Sequence, residues 1–265
     1  MNKTKSTLSF LAAFLFVITC ATAGQASAQR TFVAGPGIGN DSNTASDCSF
    51  SAPCRNFSAA YTVTNTGGEI IALTPGVGYG ALTITHAITV TGLPGQVAFV
   101  AVAASTSGFT VSAGTTDLVV VQNISFNGSG AGSTTGLTHN SGRLVVRNCV
   151  FQQLTIGVDN FAKMDLEDCE VHGNGTGLQS TGQGTLPDAT VAVAQLRVNR
   201  GNVTFNTVGV KQINAGLNGN NNPLFNIFVF AQSSGSLNLA GNTTNSTCSG
   251  ASCATGPGIY TMNGL

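Results

Sequence analysis

The chain has 265 residues, with ten basic residues against ten acidic ones; only 8% of it is charged and 42% is hydrophobic. Disorder is the opposite composition; 34 Gly with 7 Pro and no Gly-X-Y period exclude collagen; and without a basic excess the chain lacks the footprint that nucleic-acid binding needs. The remainder, rich in Thr, Val, Gly and Asn and poor in helix formers, predicts many short strands joined by tight turns, an all-β chain.

Residues 1–28 read as an export signal. Lys3 and Lys5 form a basic start, Leu8 to Ile18 is an apolar run too short to span a bilayer comfortably, and Ala26-Ser27-Ala28 supplies a small-x-small cleavage site. The expected mature chain begins at Gln29, in the periplasm or secreted from the cell, with no transmembrane segment. The rival is a lipoprotein anchored through Cys20, where Thr19 occupies a position usually held by Gly or Ala. Without Lys3 and Lys5, eight basic residues face ten acidic ones, a net charge of −2.

Six cysteines then remain: Cys48, Cys54, Cys149, Cys169, Cys248 and Cys253. An even number in an exported chain points to disulfides. Their clustering favours Cys48–Cys54, Cys149–Cys169 and Cys248–Cys253 among the fifteen possible pairings; for Cys149 and Cys169, inward at the same place in adjacent coils with parallel Cβ directions, two stacked buried thiols are the alternative to a bridge. Zinc is the weaker alternative, because no pair has Cys-x2-Cys spacing and there are only three His.

After the Cys48–Cys54 loop, Asn56 to Thr64 is the one plausible short helix, a lid over the N-terminal end of the core through Phe57 and Tyr61. Four segments then share alternating apolar residues, a polar Asn or Asp, two residues, an apolar residue and a later Gly-Leu or Gly-Val. They are 119–126, 144–151, 164–171 and the more degenerate 202–205. Asn123, Asn148 and Asp168 are separated by 25 and 20 residues; the longer step to Asn202 contains an apparent inserted loop, Gly182 to Ala189.

A repeat of this length with period-2 alternation fits one coil of a β-solenoid. Leu144 and Val146 should point inward, as should Cys149 and Phe151, with the phase flipping at Asn148. Asn tolerates the left-handed backbone of a sharp corner, and stacked amides can pair along the axis. Leu224 to Phe230 and Leu237 to Leu239 read as last strands, with the Cys248–Cys253 loop stapling the tail. The expected architecture is a right-handed parallel β-helix with a short N-terminal capping helix: a cap over 29–68, coils over 69–240 and a tail over 241–265.

The run Cys48-Ser-Phe-Ser-Ala-Pro-Cys54-Arg-Asn-Phe57, then Gly67-Gly68-Glu69-Ile70, Leu82-Thr-Ile84 and Ile88-Thr-Val90-Thr-Gly92, resembles the pectin-lyase-like superfamily. The resemblance covers about Arg30 to Val210 and implies the fold and its N-terminal cap. For activity it implies acidic-polysaccharide lyases, galacturonan hydrolases or non-catalytic adhesins and surface proteins. The hydrolases' Asp-Asp pair, Gly-His-Gly and Arg-x-Lys motifs do not occur here, nor do the lyases' calcium and arginine motifs, so no catalytic residue is carried over.

The residues themselves offer one cluster, Asp165, Glu167, Asp168, Glu170 and His172, with Arg147 one coil away from Glu167. Paired carboxylates can act as acid and base on a glycosidic bond or hold Ca²⁺; as a charge ladder on a solvated face they do neither. Asp165, Glu167 and Glu170 should face outward. Arg143 and Lys163 should stack in consecutive coils, two like charges that a uronate or sulfate can bridge or that splay apart into solvent. His86 and His139 read as surface or turn residues. With no Trp and only Tyr61, Tyr79 and Tyr260, aromatic platforms for stacking sugar rings are scarce, which argues against a high-affinity glycan cleft. The expectation is an exported non-catalytic protein with a structural, adhesive or weak carbohydrate-binding role, its partner a polysaccharide or cell-surface glycan. It needs no cofactor. The alternative is a lyase or hydrolase acting on an acidic polysaccharide, with Ca²⁺ only in the lyase case.

Overall fold

In a computed structural model, the structure describes residues 28–128, 132, 134–181 and 194–213, with three strand fragments at 229–230, 237–238 and 248–249. The signal segment up to residue 27, Cys20, the Gly182–Ala189 insert, residues 224–228, Leu239 and Cys253 lie outside the described residues. The Cys248–Cys253 pairing therefore does too.

The chain opens with β1 (Ala28–Val33), a 3₁₀ turn (Asp41–Ser46) and α1 (Phe57–Val63), which runs directly into β2 (Thr64–Ala72). β3 (Leu82–Ile84) follows, and then come trios: β4 (Ile88–Gly92), β5 (Ala98–Val102), β6 (Ser107–Ser112); β7 (Leu118–Gln122), β8 (Ile124–Gly128), β9 (Thr135–Ser141); β10 (Arg143–Arg147), β11 (Val150–Gln152), β12 (Ile156–Asn160). The next are β13 (Lys163–Glu167), β14 (Glu170–His172), β15 (Thr176–Thr181); β16 (Gln195–Asn199), β17 (Gly201–Thr204), β18 (Val208–Ile213); and β19 (Val229–Phe230), β20 (Leu237–Asn238), β21 (Cys248–Ser249). Every third strand joins the same sheet. Sheet A runs β1-β2-β4-β7-β10-β13-β16-β19, sheet B runs β5 to β20 and sheet C runs β3 to β21, and all pairings are parallel.

This register stacks like on like. In sheet A, Val90, Val121, Val146, Leu166 and Val198 form one buried column. Sheet B contributes Val100, Phe126, Phe151, Val171 and Val203, and sheet C contributes Phe109, Leu137, Val158, Leu178 and Val210. The Phe126 and Phe151 rings stack with centroids 4.9 Å apart, and Phe109 meets Phe126 edge-on at 5.0 Å. Burying each such side chain contributes roughly 1.5–3 kcal/mol. The expected parity holds: Leu144, Val146, Cys149 and Phe151 are all buried.

Sheet C needs a glycine in each repeat. A Cβ on Gly157 would stand 2.5 Å from the Gly177 carbonyl oxygen, and one on Gly136 would stand 2.6 Å from that of Gly157. This is the physical content of the recurring Gly-Leu and Gly-Val pairs.

The corners between sheets A and B have left-handed backbone at Asn123 (φ 57°), Asn148 (φ 49°) and Asp168 (φ 53°), as the repeat predicts. The fourth corner is Arg200 (φ 51°), not Asn202, which instead lies in β17 opposite Glu170. A second left-handed position at the corner between sheets B and C, held by Gln153, Gly173 and Phe205, is not foreseen by the repeat. Axial amide pairing also occurs here rather than beside Asn148. Buried Asn174 donates through Nδ2 to Phe151 O (3.0 Å) and Asn206 Oδ1 (2.9 Å), and Asn206 donates to Val171 O (2.9 Å).

The N-terminal end is covered as expected. Phe57 of α1 is fully buried against Phe109 and Tyr79, with ring centroids 5.6 and 5.1 Å away. The Cys48–Cys54 disulfide holds a loop that pairs with β1: Phe32 N donates to Cys48 O and Cys54 N donates to Phe32 O, capping its open edge. An unpaired strand edge invites association, so this is where a cap is needed.

Candidate functional site

The acidic cluster spans two faces. β13 places Asp165 and Glu167 on the outside of sheet A, Asp168 turns the corner, and β14 places Glu170 and His172 on the outside of sheet B. The alternation of each strand fixes these directions, because Met164, Leu166 and Val171 take the inward positions.

Each sheet A acid meets an arginine one strand away. Arg147 Nε donates to Glu167 Oε2 at 2.7 Å, as the register predicts. Arg197 Nη1 lies 3.5 Å from Asp165 Oδ1. At the corner, Arg200 donates from Nε and Nη2 to the two oxygens of Asp168, at 2.6 and 2.7 Å. Those hydrogen bonds hold the Asp168 carboxyl below the ordinary carboxylate range. The same device recurs at the cap, where Arg30 Nε meets Glu69 Oε2 at 2.8 Å.

Arg197 and Arg200 escape sequence reasoning because the fourth repeat is shifted in phase by its inserted segment. Once Arg200 is aligned with Asp168, the strand before it places Arg197 beside Asp165.

Arg143 and Lys163 lie opposite one another in β10 and β13, both exposed, and among the described residues neither forms an ion pair. Glu170 lies between Val150 and Asn202, and His172 between Gln152 and Thr204, so neither has an acid as its neighbour on the next strand. Among the described residues no three His, Cys, Asp or Glu side chains gather closely enough to hold a metal ion.

The expected Cys149–Cys169 disulfide is absent: both are buried thiols. They occupy equivalent inward positions in adjacent repeats, where parallel Cβ directions suit a disulfide poorly. Each donates instead to the carbonyl two residues back, Cys149 Sγ to Arg147 O at 3.2 Å and Cys169 Sγ to Glu167 O at 3.3 Å. Burial, reinforced by the Cys169 side chain, pushes the Cys149 thiol well above its ordinary range, so it is a poor nucleophile.

His139 also departs from expectation. It lies in sheet C, fully buried, between Val111 and Asn160. Its Nδ1–H donates to Asn160 Oδ1 (2.9 Å), because the Asn160 amide is committed to donating to Ala162 O (3.0 Å), Ser180 Oγ (3.2 Å) and Gln195 O (3.2 Å). Among the described residues His139 Nε2 has no partner, and burial lowers the pKa of the ring. His86 is half-buried and stacks on Tyr61, centroids 4.5 Å apart.

A groove of about 650 Å³ follows the corner between sheets B and C, passing Gln153, Thr155, Gly173 and Gly175; none of its lining residues is charged. No helix among the described residues is long and apolar enough to cross a membrane.

The outer surface thus joins lateral acid–arginine pairs on one side with an uncharged corner groove on another. Comparison with protein-family models, with curated proteins and with solved structures finds no match to this chain.

Proposed function

We propose that the three sheets are the three faces of a right-handed parallel β-helix of the pectin-lyase-like kind, and that it is an exported, non-catalytic protein with a structural, adhesive or weak carbohydrate-binding role. The placement of every third strand in the same sheet supports the helix, and the apolar N-terminal segment supports export.

The observation that carries the non-catalytic role is the lateral pairing of Asp165, Glu167 and Asp168 with arginines one strand away. A general acid needs a raised pKa and a second carboxylate across the scissile bond. Here Asp168 is shifted downward, and Glu170 and His172 lie on a different sheet from Asp165 and Glu167. The pairs act as a ladder that neutralises the face. Such exposed pairs contribute little stability each, but they leave few free carboxylates to attract cations.

The test is a degradation screen of the mature chain from Gln29 against acidic and neutral polysaccharides, with and without Ca²⁺, following reducing ends and unsaturated products. No turnover is expected. Turnover that vanishes in Glu167→Ala or Glu170→Ala would replace this reading with a lyase or hydrolase.

A further inference from the structure

Setting aside Lys3 and Lys5, which lie outside the described residues, the basic residues of the chain fall into two groups. Arg30, Arg147, Arg197 and Arg200 each pair with a carboxylate. Arg55 donates to Gly78 O at 2.8 Å and lies over the Tyr79 ring, and Lys211 is near enough to Asp159 to act on its titration. That leaves Arg143 and Lys163, and they stand opposite one another on adjacent strands.

The register confines this arrangement to one row of the outer face of sheet A. One row runs Gln122, Arg147, Glu167, Asn199, and the next runs Val120, Val145, Asp165, Arg197. Each of these sets a carboxylate beside an arginine. The third row runs Leu118, Arg143, Lys163, Gln195, with two cations and no acid. Like charges directly opposite one another are destabilising, and neighbouring strands are only about 4.8 Å apart. Core packing does not call for either side chain, since both are exposed.

These two residues open onto a notch of about 140 Å³, whose lining also includes Val145, Asp165, Gln195 and Arg197. Its one carboxylate, Asp165, already faces Arg197 at 3.5 Å, so the excess charge of the notch is positive. With roughly 30 Å³ for each water, the notch holds a group of about five heavy atoms rather than a whole sugar ring. That is the size of one oxyanion.

The donors select among oxyanions. The Arg143 guanidinium, the Lys163 ammonium and the Gln195 amide come from three consecutive strands, and their long side chains approach from different sides. A carboxylate offers two oxygens in one plane. A sulfate ester offers three in a tripod, one for each donor, and charge-assisted hydrogen bonds of this kind are the strong ones.

From this geometry we infer that the notch between Arg143, Lys163 and Gln195 binds one sulfate ester of a sulfated polysaccharide. The anion supplies to this row the negative charge that Asp165 and Glu167 supply to its neighbours. The inference rests on the proposed carbohydrate-binding role and names its site and ligand class.

The test is calorimetric titration of the full protein at low salt with a sulfated galactan hexasaccharide, the same hexasaccharide desulfated, and an oligogalacturonate hexamer. Arg143→Gln and Lys163→Gln probe the site; Arg30→Gln removes an exposed cation from the N-terminal cap as a control for general attraction. Binding of the sulfated hexamer is expected, at least about tenfold weaker in either site variant and unchanged in Arg30→Gln. Relief of the like-charge contact should leave the thermal midpoint of each site variant no lower than the parent's, which shows that the loss is not unfolding. Sulfated-hexamer binding that persists in both site variants, or that falls equally in Arg30→Gln, would overturn the site and leave the surface-binding role standing. Oligogalacturonate bound as tightly, and lost in the same variants, would overturn the choice of sulfate. Binding of the desulfated hexamer alone would overturn the site but not the role. No binding of any of the three would overturn the site and carbohydrate recognition together, leaving a purely structural protein.

Discussion

At the corner between sheets A and B the left-handed positions are held by Asn123, Asn148, Asp168 and Arg200; at the corner between sheets B and C they are held by Gln153, Gly173 and Phe205. The first series is largely what backbone preference dictates, since Asn and Asp accept this conformation more easily than other non-glycine residues. Its exception, Arg200, makes a two-point ion pair with the Asp168 corner before it. The second series has one residue suited to the backbone and two that are not. The chain beneath it is held by the buried amides of Asn174 and Asn206. Local preference thus makes the first corner, while an internal hydrogen-bond ladder makes the second and leaves its outward side chains free to vary.

The strongest way to break this contrast is Asn174→Ala. It removes the acceptor of Leu154 N, leaves Phe151 O without this donor and takes away one partner of Asn206, all in a buried setting. A loss of about 3 kcal/mol is expected in urea denaturation. A loss under about 1 kcal/mol would show that the second corner does not depend on its ladder.

A separate buried polar set in sheet C, His139 with Asn160 and Ser180, is sensitive to pH. Burial lowers the folded-state pKa of His139, so the folded protein prefers the neutral ring. The stability this provides is complete above the unfolded value of about 6.5. It is lost as pH falls from there towards the folded value, because the unfolded chain takes up the proton first. Asp159 is shifted upward, mainly by burial; its effect has the opposite sign and falls in the more acidic carboxylate range. Urea midpoints between pH 7.5 and 5 should therefore fall with acid, and His139→Gln should flatten that slope. An unchanged slope would place the titration elsewhere.

A finer comparison sets the two corners against each other directly. Asn148→Ala puts a less tolerant residue into left-handed backbone and should cost about 1 kcal/mol. Phe205→Asn does the reverse and should raise the thermal midpoint by a similar free energy. Equal signs for the two would show that local backbone preference does not govern these positions.

The repeat, the inward and outward parity of β10 and β13, the corners at Asn148 and Asp168, the Arg147–Glu167 pair, the capping helix and the Cys48–Cys54 bridge were all legible in the sequence. The repeat features depend on local alternation or on a spacing of 20 to 25 residues that one unbroken repeat preserves, and the capping helix and the bridge on residues close in sequence. The phase of β16 and β17 was not legible, because register across a long insertion is set by which strand edge the returning chain meets. With that phase went Arg197, Arg200 and the place of Phe205 beside Gly173. The clustering of the cysteines left a Cys149–Cys169 bridge and two stacked thiols both open; the choice depends on whether the parallel Cβ directions of adjacent repeats allow a bridge, and here both remain thiols. His139 looked like a surface residue because a polar side chain can lie inside only when the adjacent strands bring it partners. Asn160, with Ser180 beyond it, does so only once β9, β12 and β15 are stacked in register. The order of residues thus determined the strands and their faces, through interactions a few residues long. Stacking decided which side chains became neighbours, because that depends on contacts between residues 20 to 35 apart, which periodicity does not encode once a repeat is interrupted.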